Sequence, residues 1–156
     1  ARLGWWLLGS APGSARRLEL AANVGYSRDA SVNLGPLVTG FAGKRTVWGA
    51  DLRYTSRLAL LAVEVVGARL EADAGGTARP KGWHVTVGTN PWAKVQLLAR
   101  WDAIRPDGLG GDSDVLVFGV RATPTGAIQF RLNHAIDVDD AELSHHRFQA
   151  GAQLGF

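Results

Sequence analysis

The amino-acid sequence predicts an all-β chain: an antiparallel transmembrane β-barrel of about eight strands, with short turns at one end and longer loops at the other. Three observations predict it. Apolar and polar residues alternate with period two through one segment after another, and the connections between segments alternate between tight and long. No apolar run approaches the roughly 18 residues a membrane helix needs, although 46% of the 156 residues are hydrophobic. The length suits one domain without a low-complexity linker, with residues 1–16 as an N-terminal segment holding a partial strand and residues 17–156 as the strands.

In residues 1–10, Leu3, Trp5, Trp6, Leu7 and Leu8 follow a minimal basic region, too short an apolar stretch for a signal peptide. They read as the remnant of a ninth, descending strand on a mature chain or a fragment. Residues 17–27 set Leu18, Leu20, Ala22, Val24 and Tyr26 against Arg17, Glu19, Asn23 and Ser27, the alternation of a pleated strand. Residues 47–53 set Trp48, Ala50 and Leu52 opposite Gly49, Asp51 and Arg53, and Tyr54 continues the apolar face. Residues 58–69 are the most apolar, with Glu64 the only charge in their middle. In residues 82–90, Trp83, Val85, Val87 and Thr89 oppose His84, Thr86 and Gly88. Residues 94–102 place Val95, Leu97, Ala99 and Trp101 against Lys94, Gln96, Leu98, Arg100 and Asp102. Residues 115–123 turn Leu116, Phe118, Val120 and Ala122 one way and Gly119, Arg121 and Thr123 the other. Residues 128–137 oppose Ile128, Phe130, Leu132 and Ile136 to Gln129, Arg131, Asn133 and Asp137. Residues 147–156 alternate strictly, with Phe148, Ala150, Ala152, Leu154 and Phe156 on one face. That makes eight strands.

Connections at residues 55–57, 90–93 and 124–127 are tight, whereas 28–46, 71–81, 105–113 and 139–146 are longer and richer in Gly, Asp or Ser. Short periplasmic turns and long external loops are the membrane-barrel arrangement. A half-buried soluble sheet also alternates, but it has no reason to segregate its loops. The polar face then becomes a lumen, lined by Arg17, Glu19, Asp51, Arg53, Glu64, Arg100, Asp102, Arg121, Gln129 and Arg131. Tyr26, Trp48, Tyr54, Trp83, Trp92, Trp101 and Phe148 are expected at the membrane–water interfaces, near strand ends.

The final strand resembles the C-terminal strand of bacterial outer-membrane β-barrels, which end in Phe after apolar residues at every second position. On that resemblance Phe148, Leu154 and Phe156 form the signal read by the outer-membrane assembly machinery. Residues 48–54 (Trp-Gly-Ala-Asp-Leu-Arg-Tyr), Gly82-Trp83, Leu97-Leu98-Ala99-Arg100-Trp101-Asp102 and residues 118–124 resemble the C-terminal part of the phosphate-selective porin family. Together with residues 128–133 and 148–156, the likeness covers most of residues 47–156, carried by the order of the motifs. It implies a Gram-negative outer-membrane porin for passive diffusion of ions and small solutes, with membrane lipid or detergent as partner and homo-oligomerisation left open. Such porins have about sixteen or more strands and need more than about 300 residues, while 156 suffice for about eight. The chain is therefore expected to be part of a larger porin. The alternative is a small closed eight-stranded barrel with a structural or surface-binding role and no open pore. The family lines its constriction with lysines. Lys occurs here only at 44, 81 and 94, so phosphate selectivity is not expected.

Other chemistry finds little support. A net charge of +3 with Arg spread singly along strands argues against a nucleic-acid partner, and without Cys there is neither a disulfide nor a thiolate site. His145 and His146 are adjacent and point oppositely on an extended chain, which argues against shared metal chelation. Ser144 with Asp139 and Asp140 fixes no nucleophile, base and orienter, and the Gly-rich residues 108–112 precede no helix that could help hold a phosphate. No enzyme, metal or cofactor is expected.

Overall fold

A computed structural model describes residues 1–8, 15–34, 39–138 and 146–154. These residues form ten strands and no helix: β1 (Arg2–Leu8), β2 (Arg16–Val32), β3 (Phe41–Ser56), β4 (Ala59–Ala72), β5 (Thr77–Ala78), β6 (Lys81–Trp92), β7 (Val95–Arg105), β8 (Ser113–Thr125), β9 (Ile128–Asp137) and β10 (Arg147–Leu154). All belong to one antiparallel meander in the order β1-β2-β3-β4-β6-β7-β8-β9-β10, with β5 folded back on β4. β1 and β10 are its two edges, and the sheet is not closed.

The eight alternating segments of the sequence are all strands, and two more appear. β1 is a full strand, paired with β2 from Arg2↔Asn23 onward. β5 pairs only Leu70↔Ala78 and Glu71↔Thr77. Strands also outrun their sequence patterns: β2 and β3 continue their ladder to Asp29↔Gly43 and Val32↔Phe41, within the segment expected to be a long loop. Ladder hydrogen bonds belong to the backbone, so pairing continues where side-chain alternation stops. Loop segregation persists. Two residues each separate β3 from β4, β6 from β7 and β8 from β9, whereas 33–40, 106–112 and 138–146 are longer.

Cross-strand partners share a face, so the register sorts side chains across the whole sheet. One row runs Leu18–Tyr54–Leu61–Val87–Ala99–Phe118–His134–Phe148, and the next runs Leu20–Leu52–Val63–Val85–Trp101–Leu116–Ile136. A continuous apolar face thus extends over the full meander. It has nothing packed on it: Val24, Trp48, Val87, Phe118, Leu132 and Phe148 are all exposed, and the only buried hydrophobics among the described residues are Ala21, Phe41, Leu70 and Ala103. The accessible surface is 10622 Å², against about 7600 Å² for a compact monomer of 16.6 kDa. The excess is a single sheet with no second layer.

Gly67 is the one outward position on β4 where a neighbouring ring lies across the strand. A Cβ there would collide with the Trp48 indole from β3. Gly67→Val is expected to destabilise by about 1–3 kcal/mol through this overpacking, and Trp48→Ala should relieve most of that cost. Equilibrium unfolding of both singles and the double measures the coupling. Additive costs would mean that the ring lies elsewhere.

Candidate functional site

All ten residues expected to line a lumen share the face opposite the apolar one. Register rows on that side read Gly4–Ala21–Asp51–Glu64–His84–Asp102–Val115–Asp137 and Glu19–Arg53–Ala62–Thr86–Arg100–Val117–Ala135–Arg147. Arg17 lies in the following row, Arg121 faces Arg131 directly, and Gln129 faces Gln153. On the polar face a cavity of about 660 Å³ is lined jointly by Val66 of β4, His84 of β6, Arg100 and Asp102 of β7, Asn133 of β9 and Gln149 of β10.

Charges on this face pair along and across strands. Arg100 Nε donates to Asp102 Oδ1 at 2.6 Å, Arg17 pairs with Glu19, and Arg45 reaches Asp29 at 3.2 Å. Arg2 sits 3.6 Å from Asp51 and His84 3.8 Å from Glu64. The distribution is uneven. Asp51, Glu64, His84 and Asp102 are consecutive neighbours in one row, forming an acidic stripe. Arg121 and Arg131 stand opposite each other with no ion pair to a carboxylate among the described residues. Like charges directly opposite are destabilising unless water or an anion lies between them, so this arginine pair is the local cationic excess. Arg2 and His84 escaped the sequence-derived set because residues 1–16 read as a partial strand and His84 is neutral in the pattern. Strand parity alone would have placed His84, whereas Arg2 needs the register of β1 on β2.

The aromatic positions need one correction. Tyr26, Trp48 and Trp101 are not near strand ends, because β2, β3 and β7 run beyond the segments read from the sequence; Tyr54, Trp83 and Trp92 are. What Tyr26, Trp48 and Trp83 mark instead is the upper edge of the apolar band, where outward positions change to charge: Tyr26 then Arg28 on β2, Trp48 then Thr46 and Lys44 on β3, Trp83 then Lys81 on β6. Ala103 gives way to Arg105 on β7, and Leu116 to Asp114 on β8. This edge is staggered. Leu116 lies in the row of Leu20, so from β2 to β8 the boundary descends six residues in five strand-to-strand steps. The opposite edge descends too, from Leu18 on β2 to Ala122 on β8, four residues below the row of Leu18.

At the C-terminal edge, Phe148 stacks on His134 with ring centroids 4.2 Å apart, and Leu154 faces Ile128. His146 pairs with His134 at 2.8 Å between ring nitrogens. His145, Ser144, Asp139, Asp140 and Phe156 lie outside the described residues. Among those described, no group of three or more His, Asp or Glu is arranged to hold a metal ion.

No family model, curated protein or solved structure matches the chain.

Above the apolar band, Arg105 forks onto Asp114 at 2.8 and 2.9 Å and also reaches Asp112 at 3.3 Å. The Arg105 hydrogen bond holds the Asp114 carboxyl below its ordinary value of 3.8. A depressed carboxylate stabilises the fold above its unfolded pKa, and that contribution is lost as pH falls through the folded value. An NMR titration of the Asp114 carboxyl is expected to give a midpoint below 3.8, moving upward in Arg105→Gln. An unchanged midpoint would remove the guanidinium as its cause.

Proposed function

We propose that this chain forms part of an outer-membrane β-barrel whose polar face lines a water-filled passage for small solutes. The observation that carries the reading is the stagger of the apolar band. At about 3.3 Å per residue and 4.8 Å per strand spacing, a level band needs strands tilted by about 30° from the four-residue descent of its lower edge and by about 40° from the six-residue descent of its upper edge. Membrane barrels tilt their strands by about 35–45°. On β2 the band runs from Leu18 to Tyr26, nine residues, or about 23 Å in height at the steeper tilt, against the apolar belt of about 25 Å on such barrels. A soluble sandwich would cover this face with a second sheet.

In this reading Tyr26, Trp48 and Trp83 sit at the external interface and Tyr54 at the periplasmic one, with loops 33–40 and 106–112 outside. The polar face meets water, and lipid or detergent covers the apolar face. Phe148 and Leu154, on the edge strand, are placed for recognition by the assembly machinery.

Strand number favours the larger barrel over the closed eight-stranded one. Closing β2 to β10 would need the edge of β2 that β1 occupies. In a nine-strand meander β1 and β10 run the same way, so an all-antiparallel closure requires an odd number of further strands, from additional chain or a second copy. Lumen charge is mixed, which suits general diffusion with a local anionic preference at Arg121 and Arg131.

Heat-modifiable migration on a detergent gel is the direct test. A monodisperse monomer that is soluble without detergent would sink the proposal. Val120→Arg, facing lipid, is expected to cost about 2–4 kcal/mol in liposome unfolding, and Gln129→Arg far less. Equal costs would invert or abolish the face assignment. In planar bilayers, replacing Arg121 and Arg131 with Gln should shift permeability towards cations more than Arg100→Gln, because Asp102 already neutralises Arg100. Identical selectivity in both variants would take the arginine pair off the pore wall.

A further inference from the structure

The outward, apolar face carries a cavity of about 1150 Å³ at the long-loop end between β3 and β7. Its floor and its rim differ in chemistry. Trp48, lying over Gly67, and Trp83 are aromatic and continuous with the apolar band through Val65 and Trp101; Trp83 meets Trp101 edge to face at 4.7 Å. The rim holds four cations: Arg69, Arg79, Lys81 and Arg105.

Two of these are answered within the protein, since Arg69 pairs with Glu71 at 2.6 Å and Arg105 with Asp112 and Asp114. The other two are not. No ion pair among the described residues engages the side chain of Arg79 or Lys81, and Lys81 stands directly opposite Arg105 in the ladder. Asp107 and Asp112 also line the cavity, but Asp112 is already on Arg105 and Asp107 accepts from the backbone N–H of Arg79 rather than from its guanidinium. Asp112 and Asp114 answer Arg105 but leave Lys81, opposite it in the ladder, and the Arg79 guanidinium with no ion pair among the described residues, and these two are the cations open to an external anion. The aromatic floor favours acyl or glycan carbon beneath that anion.

We propose that this cavity binds the phosphate-bearing headgroup of a membrane lipid, with Lys81 and Arg79 contacting the phosphate, Arg69 and Arg105 framing it, and the acyl chains descending over Trp48 and Trp83. The site rests on the membrane orientation proposed above. A lipid rather than free phosphate fits because the cavity opens onto the apolar band, where a chain attached to the phosphate gains apolar contact that a free ion lacks.

The closed barrel that contains this chain, completed by its further strands or by a second copy and reconstituted in phosphatidylcholine vesicles containing a minor share of brominated phosphatidic acid, tests this through tryptophan quenching. The share of quenching lost in Trp48→Phe/Trp83→Phe reports the cavity. Quenching there should exceed the bulk share of the acidic lipid, and Lys81→Gln and Arg79→Gln should each weaken the preference about fivefold. Brominated phosphatidylcholine as the only quencher reports insertion. Its failure to quench would refute the membrane reading itself. Quenching by that lipid with no preference for phosphatidic acid, or a preference unchanged in both charge variants, would overturn only this site. Loss of the preference on adding millimolar inorganic phosphate at constant ionic strength would assign the cavity to the free anion and overturn the lipid as its occupant.

Discussion

Everything in this molecule depends on the register of one antiparallel hydrogen-bond ladder. Side chains alternate with a period of two, so a slip of one residue at any pair would turn every later strand inside out. Register is held from Arg2↔Asn23 to Leu154↔Ile128, and each irregularity falls near a strand end. The outcome is two chemically opposite faces made by strands that are individually unremarkable in hydrophobicity. No buried core enforces that order. What the register does is gather the apolar side chains of every strand onto one exposed face.

Sequence alone revealed the parts of the fold where side chains must choose a face. Between Leu18 and Tyr26, or Phe148 and Leu154, each outward position is apolar and each inward one polar or small, so both strands and sidedness were readable. Beyond Arg28, nothing outward needs to be apolar. Asp29, Ala30 and Ser31 look like a loop, yet the backbone carries the ladder on to Val32. β1 was half-legible for the opposite reason: Trp5, Trp6, Leu7 and Leu8 form an unbroken apolar run whose parity cannot be read without the partner strand.

The candidate site divides along the same line. Membership of the polar face followed from parity, and all ten expected positions share it. Which charges neutralise each other did not follow: Arg17–Glu19 and Arg100–Asp102 pair along their own strands, whereas the cross-strand neighbours are separated by long stretches of chain. Asp51, Glu64, His84 and Asp102 come from four strands, and only the ladder makes them adjacent. Arg121 and Arg131 are ten residues apart in sequence but directly opposed in the sheet. The cationic rim around Lys81 was hidden for the same reason, since its members arise from β4, β6, β7 and the segment joining β5 to β6.

The two open edges constrain how such a sheet can enter hydrocarbon. On β10 about half of the backbone amides and carbonyls point away from β9, and each left unpaired in lipid costs several kcal/mol. Summed along the strand, that penalty rivals the whole stability of an ordinary domain. A partly inserted sheet with its seam open is thus not a resting state but a transient one. In the membrane reading proposed above, insertion and seam formation would have to proceed together, with the flanks of β1 and β10 paired before they meet lipid.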